Sequence, residues 1–501
     1  MERIKYLDNN LKFLSKANSF EVFEGIEGEV FRKYENRITK KFQIKQKGYF
    51  IKFHGPVGWK EIFKNFIQIK APVIGAQREY DALTHLAQNK INCPSIKAFG
   101  LKGFNPANSS SFLVTEELYG TISLEDFFLK GMHENLSFQE KKSLIKKVAD
   151  LIRAMHDSGL NHRDLYLCHI HISTQLNFDN LELYLIDLHR AQLRSKVPGR
   201  WLVKDLGGFL HSIFQFNLTE RDFYRFMMAY FNCSLRELNQ IHGYQIKKIL
   251  DRAFRMYLKP QLLRPFLSIK KDTAINCNFS IFHEDSRKYI VRKDQEEQKE
   301  DFLKFIEDED LLINSGEVIK NEKGHLVVKV RILDRDYFIK KYRIKGFWHA
   351  ISRILKSTRA YNSWQATLWL NAAGIKTAKP ILLCEDQGIL GAKNSYFVTE
   401  SITDQRLDIA INQDHDSDFI VSIINAFFKR ISWINFKHGD AKTSNFFVNK
   451  TLVAIDLDTS NKHYLDFLYI DNLSRDKKRM LKSLKGYNKI YSKLSKRLRR
   501  S

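Results

Sequence analysis

The feature that most constrains this 501-residue chain is that it repeats itself. GEVFRKYENRITKKFQIKQKGYFIKFH, from Gly28, returns as GEVIKNEKGHLVVKVRILDRDYFIKKY from Gly316, and each copy reads as three short strands joined by turns rich in Asn, Gly or Asp. SSSFLVTEEL from Ser109 parallels KNSYFVTESI from Lys393, and GLNHRDLYLCH from Gly159 parallels INFKHGDAKTSN from Ile434. YLIDLHRAQ from Tyr184 then parallels VAIDLDTSN from Val453, and VKDLGGFLHS from Val203 parallels SRDKKRMLKS from Ser474. Blocks in the same order around matching aspartates imply a duplicated unit and two domains, which the length also favours. Between the copies, RKDQEEQKEDFLKFIEDED from Arg292 is charged and nearly free of β-branched residues, as a solvated connector would be. The expected division is a first domain over residues 1–275, a connector over 276–310 and a second, more compact domain over 311–501 with a basic C-terminal tail.

Composition fits two folded domains: 44% hydrophobic and 13% aromatic residues lie far from the signature of disorder, and eight prolines leave little room for a Pro-rich linker. MERIKYLDNNLKFLSK carries charges in every turn, so no export signal is expected. The most apolar stretch, Phe419 to Phe436, is interrupted by Asn425, Lys429 and Arg430 and reads as a core helix, not a membrane span. Cys93, Cys168, Cys233, Cys277 and Cys384 lack CxxC spacing, which suits reduced thiols in a cytosol. The net charge of +25 calls for an anionic partner. Without a reader motif or basic residues interleaved with stacking aromatics, that partner is not expected to be nucleic acid.

The repeated blocks carry chemistry. Phosphoryl transfer from ATP needs a cation on the phosphates, carboxylate-held Mg²⁺ and a carboxylate to accept the acceptor's proton. In the first copy Lys52 ends an alternating strand and Glu79 lies in the helical stretch after it, an order that resembles the ion-paired lysine and glutamate of protein kinases. NHRDLYLCH resembles the kinase H-R-D catalytic loop, with Arg163 preceding Asp164 as the expected general base. In YLIDLHRAQ, Asp187 stands between apolar residues, where a carboxylate is costly unless a cation such as Mg²⁺ meets it. Five residues after the base, where protein kinases place a metal-binding asparagine, stands His169, a poor Mg²⁺ ligand. Either His169 holds a phosphate or orders the loop, or the site uses one metal. No Gly-rich loop precedes Lys52, so the turn YENRIT, with Arg37, is expected to cover the phosphates, and backbone groups of Glu116 to Leu118 to meet adenine.

From Gly28 to about Tyr257 the chain resembles the lipopolysaccharide core heptose kinases, the WaaP family, in PVGWKEI, PVIGAQREY, FLVTEEL, TISLEDF, NHRDLYLCHIHI, LIDLHRAQ, RWLVKDLGGFLHS and LTERDFYRFMMAYF. The histidine at 169 belongs to that family's pattern. The resemblance implies an α+β fold of two protein-kinase-like bilobal domains in tandem. It also implies ATP-dependent phosphorylation of a heptose hydroxyl on lipid A–Kdo–heptose before export.

The second copy resembles the loops of aminoglycoside and choline kinases: Asp440 as base, Lys442 toward the transferring phosphoryl, Asn445 and Asp456 on the metal, and Lys340 in place of Lys52. The position matching Glu79 is Ser363, and no Asp or Glu occurs from Lys341 through Cys384. The copy is therefore either a second sugar kinase or a pseudokinase-like binding module. The stretch instead gathers Lys341, Arg343, Lys345, Arg353, Lys356 and Arg359 beside Phe347 and Trp348, which suits an anionic lipid or sugar surface as well as a solvated face. From Arg475 onward, 12 Lys and Arg against one Asp accompany apolar residues at helical spacing, an amphipathic segment for the kinase lobe or the membrane. The expected protein is cytoplasmic and peripheral to the inner membrane, drawn to Kdo carboxylates, phosphates and anionic lipid.

Overall fold

The computed structural model describes residues 2–8, 11, 20–34, 36–59, 63, 75–103, 105, 107–178, 180–216, 219–258, 279–284, 286–322, 324–343, 357–386, 394–413, 416–463 and 466–500. They fall into two units, Met1–Ala253 and Phe254–Ser501.

Alternating side chains build the sheet of the first unit. Six antiparallel strands are ordered Glu2–Tyr6, Ile96–Lys102, Ser110–Glu116, Lys47–His54, Arg37–Ile44, Glu29–Tyr34. The last three are the predicted triple, and a two-residue turn at Lys45 and Gln46, with φ of 49° and 66°, joins two of them. One face buries Phe20, Phe23, Phe42, Tyr49, Ile51, Phe112 and Val114, with the Phe23 and Phe112 rings stacked at 4.2 Å. Gly100 is needed beneath Phe112, because a Cβ there would lie 2.2 Å from the ring. Lys52 alternates to the opposite face, beside Leu113 and Thr39.

The rest of the unit is mostly helical. Ser137 and Glu140 form a capping box that starts the helix Phe138–Asp157, and its stripe Leu144, Val148, Ala149, Ile152, Met155 is buried. The helices Glu220–Phe231 and Leu235–Ile241 start with the same device, at Thr219/Asp222 and Ser234/Glu237. Short strands at Leu160–Asn161, Ile170–Ser173 and Leu183–Leu185 frame the candidate catalytic loop.

The second unit has a seven-stranded sheet ordered Phe279–Glu284, Arg287–Arg292, Pro380–Asp386, Ser395–Glu400, Arg335–Tyr342, His325–Ile332, Glu317–Glu322. This corrects the connector expected over 276–310. From Phe279 onward it supplies two strands of this sheet, and the helix Lys299–Glu307 buries Phe302, Leu303 and Ile306 against it. Most of its charges are exposed, Lys288 and Lys299 being the buried ones, while Tyr289 and Val291 of the strand join the core. Counting charge without period misread an amphipathic segment as a solvated one. The helix Ser417–Trp433 buries Ile420, Val421, Ile424, Phe427, Phe428 and Ile431, as expected of a core helix. Among the described residues no helix is long and apolar enough to cross a membrane. Cys93, Cys168, Cys233 and Cys384 are free thiols, and Cys277 lies outside the described residues.

The basic segment from Arg475 is no loose tail. It lies in the helices Asp466–Ser483 and Asn488–Arg500, whose Met480, Leu484, Ile490, Leu494 and Leu498 are buried within the unit. Its apolar stripe therefore docks on its own fold, and Lys482, Lys485, Lys489, Lys496 and Arg497 point outward. Of the other basic stretch, Lys341 and Arg343 both pair with Glu309, and Arg359 pairs with Asp458. Lys345, Phe347, Trp348, Arg353 and Lys356 lie outside the described residues.

Because Leu494 is fully buried, Leu494→Ala should lower the stability of the second unit by about 2–5 kcal/mol in denaturant unfolding. An unchanged midpoint would mean that the helix does not belong to the core.

Candidate active site

The first unit folds its candidate residues around one cleft of about 1000 Å³, lined among others by Lys52, Glu79, Glu116, Leu118, Asp164, His169 and Asp187. Lys52 reaches it from the sheet and lies between two carboxylates, 2.6 Å from Glu79 Oε1 and 2.8 Å from Asp187 Oδ1. Glu79 is buried on the helix Gln77–Gln88, so this pair ties helix to sheet. Burial opposes the charge of Asp187, but the Lys52 ammonium and a 2.8 Å hydrogen bond with His189 Nδ1 outweigh it and hold the carboxyl well below its usual range. Asp187 has φ of 57°, a left-handed backbone that turns its carboxylate into the cleft instead of along the strand before it.

The loop carrying Asp164 is fixed from below. Asp205, fully buried on the helix Gly199–Ile213, accepts the backbone N–H of His162 at 2.7 Å and of Arg163 at 2.8 Å. These two bonds hold Arg163 at φ of 71°, a conformation a long side chain rarely adopts unaided. His162 is buried and neutral, because desolvation lowers its pKa, and its Nε2 lies 3.0 Å from the Ile186 carbonyl. The loop's position thereby sets that of Asp187. His169 completes the frame: Nδ1 lies 2.7 Å from the Asp164 carbonyl and Nε2 lies 3.5 Å from Asp187 Oδ2. The contact with the Asp164 carbonyl is one that a residue ordering the loop would make, and the contact with Asp187 also keeps the imidazole beside the candidate metal ligand. Asp164 itself is held by Arg190 Nη1, at 2.9 and 3.2 Å from its two oxygens.

Toward the adenine end, Glu116 N–H donates to the Ser95 carbonyl and Glu117 N–H to the Gly48 carbonyl, both at 3.0 Å. The Leu118 carbonyl accepts from Thr121 Oγ1 at 2.9 Å. The Glu116 amide is thus already committed, which residue order alone does not reveal. Asp205, His189 and Arg190 were missed as site residues. The first had a signal, since VKDLGG and SRDKKR align an aspartate in both copies, and the other two stand in the same block as Asp187.

The second unit reproduces this frame with different side chains. Asp476 accepts the N–H groups of His438 and Gly439 at 2.7 and 3.0 Å, and Gly439, at φ of 87°, takes the place of Arg163. Asp456 has φ of 58° and contacts Lys340. Asn445 Nδ2 donates to Asp440 Oδ2 at 3.0 Å, while Lys442 and Arg479 lie 3.0 and 3.2 Å from the Asp440 oxygens. Ser363 hydrogen-bonds to Tyr342, whose ring lies 5.3 Å from the Lys340 ammonium and 5.1 Å from the Arg359 guanidinium. Helix and sheet are therefore joined through Tyr342 and Ser363, and helix and loop through the Arg359–Asp458 pair, with no glutamate on Lys340 among the described residues. The cavity beside Lys340 and Asp456 has only about 130 Å³.

Among the described residues no three or more His, Cys, Asp and Glu side chains are grouped to hold a metal ion. The donor chemistry fits Mg²⁺ better in the second unit, where Asn445 and Asp456 supply oxygens, than in the first, where Asp187 is joined by the imidazole of His169.

Residues 21–230 and 311–493 match the sequence profile of the lipopolysaccharide kinase (Kdo/WaaP) family. The lipopolysaccharide core heptose(I) kinase WaaP of Escherichia coli is 42% identical over 248 residues, 48% of this chain and 94% of that protein. The protein of the same name in Pseudomonas aeruginosa is 37% identical over 244 residues, 48% of this chain and 91% of its own length. A solved structure of WaaP in complex with acyl carrier protein is 32% identical and covers 51% of this chain and 99% of that one, with a TM-score of 0.45.

Replacing Asp205 by Asn leaves one acceptor oxygen for two amides and should cost about 1–3 kcal/mol. Hydrogen exchange at the His162 and Arg163 amides should accelerate, and unchanged protection would refute the bracing role.

Proposed function

The chain belongs to the lipopolysaccharide kinase (Kdo/WaaP) family, and from that premise we propose that its first unit is an ATP-dependent kinase phosphorylating a heptose hydroxyl of the lipopolysaccharide inner core. The observation that carries the reading is Lys52 between Glu79 and Asp187 in the cleft that Asp164 also lines. Lys52 binds the phosphates, and Glu79 keeps it aimed. Asp164 accepts the proton of the attacking hydroxyl, and Arg163, braced by Asp205, sets its position. Backbone groups between Glu116 and Leu118 hold adenine. Asp187, with His169 beside it, would hold Mg²⁺, which when bound neutralises charge on the transferring phosphoryl group.

For the second unit we propose a second sugar kinase in the same protein-kinase-like bilobal form, with Asp440 as base, Lys442 on the phosphoryl, Lys340 on the phosphates and Asn445 with Asp456 as metal ligands. What supports this reading is that Asn445 and Lys442 contact Asp440 on the loop braced by Asp476, that Lys340 contacts Asp456, and that the Ile455 N–H donates to the Asn445 carbonyl between the two groups. The narrow cavity supports the rival reading, a pseudokinase-like module that binds the acceptor. The enzymatic alternative for the first unit, another small hydroxyl acceptor, has no observation in its favour beyond the breadth of the fold.

Asp164→Asn should reduce phosphate transfer from the first unit by roughly 10²–10⁴ with the fold intact. Transfer to core oligosaccharide that survives Asp164→Asn and disappears on adding Asp440→Asn would establish two active sites. Parental rates in Asp164→Asn alone, followed by no loss in the double variant, would refute both assignments.

The lipid-linked acceptor places the enzyme at the cytoplasmic face of the inner membrane, and the outward bases of the last two helices supply an electrostatic attraction to anionic lipid. Changing Lys482, Lys485, Lys489 and Lys496 together to Gln spares the buried stripe. It should weaken binding to anionic vesicles while leaving neutral vesicles unaffected. Equal, salt-independent binding of parent and variant to both would end this part of the proposal.

A further inference from the structure

Next to Asp164 the first unit gathers positive charge that its own carboxylates do not answer. The Trp201 ring lies 5.0 Å from the guanidinium of Arg163, 5.4 Å from that of Arg194, 5.3 Å from that of Arg200 and 5.1 Å from the Lys204 ammonium. A single indole face attracts a cation by only about 0.5–1 kcal/mol, too little to assemble four mutually repelling ones. Two carboxylates lie close, and both are engaged: Asp164 by Arg190, and Asp205 by two backbone amides and His156.

Three buried donors in the same place have no partner: Arg78 Nη1, Arg163 Nε and Trp201 Nε1. They come from three separate elements, the helix Gln77–Gln88, the loop before Asp164 and the helix Gly199–Ile213. Buried donors are nearly always satisfied, and a shared vacancy in acceptors beside a surplus of cations describes an anion's place. Burial, and then the charge of Arg78, lower the pKa of Arg163, while burial, and then Arg163, lower that of Lys204. The fifteen-residue helix Gly199–Ile213 begins here with no side-chain cap at Pro198, adding free amides and the positive end of its dipole.

We propose that Arg78, Arg163, Trp201 and Lys204 form a recognition site for an anionic group, phosphate or carboxylate, carried by the acceptor near its reacting hydroxyl. The site binds the sugar's charged neighbour and so presents the hydroxyl to Asp164. It rests on the first unit being a kinase for such an acceptor, but its existence can be tested without turnover.

The first measurement is calorimetric titration of the full chain with inorganic phosphate, the nucleotide cleft saturated by a non-hydrolysable ATP analogue. Arg78→Gln and Lys204→Gln should each weaken phosphate binding about tenfold, the usual loss for one charge-assisted hydrogen bond, and Lys204→Arg should restore it. Unchanged affinity in both Gln variants would overturn the site. The second measurement is steady-state kinetics. Both Gln variants should raise the acceptor KM about tenfold at constant ATP KM, and the parent should lose its preference when the acceptor's anionic groups are removed. A rise in ATP KM instead would assign the cluster to the nucleotide and overturn the proposal. A phosphate found by mass spectrometry on Ser195, which follows Arg194 in the chain, with acceptor KM unaffected by Arg78→Gln, would assign the cluster to the protein's own phosphoserine and overturn it too. Phosphate binding lost in both Gln variants of a chain that phosphorylates no core acceptor would leave the anion site standing while the kinase reading fell.

Discussion

In each unit the loop with the candidate base hangs on one buried aspartate that accepts two consecutive backbone amides. Asp205 does this for His162 and Arg163, and Asp476 does it for His438 and Gly439. A carboxylate removed from water is costly unless hydrogen bonds replace its hydration, and two amides plus the frame around them do so. The bonds in turn hold a left-handed residue, Arg163 or Gly439, just before Asp164 or Asp440, and in the first unit Asp164 lines the cleft. The two units solve the backbone strain differently. Gly439 has no Cβ, and one would lie 2.6 Å from the Thr459 carbonyl oxygen, whereas Arg163 accepts the strain and gains a guanidinium beside Trp201.

The same frame thus carries different electrostatics. In the first unit a glutamate on the helix and an aspartate from the loop converge on one lysine, which locks sheet, helix and loop together. In the second the helix contributes a cation, Arg359, and the loop contributes a second carboxylate, Asp458, so the polarity of the link is reversed. Between them Tyr342 separates Lys340 from Arg359 and bonds Ser363. A missing helix glutamate is therefore not a missing link between helix and sheet.

Much of this was legible in the sequence because repetition doubles every signal. The three-strand blocks follow from the repeat, and Lys52, Glu79, Asp164, Asp187, Asp440 and Asp456 from the likeness to kinase motifs; the structure pairs Lys52 with Glu79 and Asp187, and Lys340 with Asp456. What stayed hidden depends on where side chains point. The acidic run after Arg292 read as solvated, yet it turns an apolar stripe inward at Phe302 and Ile306; the run after Arg475 read as amphipathic, and its pattern left open whether the stripe at Leu494 and Leu498 meets the protein's own lobe or a membrane. His169 looked like a defective metal ligand, and its contact with the Asp164 carbonyl is a tertiary fact that spacing does not encode. Arg190 and His189 gain their roles only because Asp187 turns the chain back toward Asp164.

The placement of Asp476 and Leu494 orders events in time as well as in space. A chain emerging from the ribosome presents the whole of the first unit, with Asp205 and its loop, before residue 254 is made. The loop at His438 precedes its bracing aspartate by 38 residues, much as His162 precedes Asp205 by 43, but the core behind Met480 closes only with the helices that end at Arg500. During synthesis the two copies are accordingly unequal: one can settle as a finished domain while the other exposes an open core, the condition that chaperones recognise. Two units that match one family profile thus have different schedules of assembly.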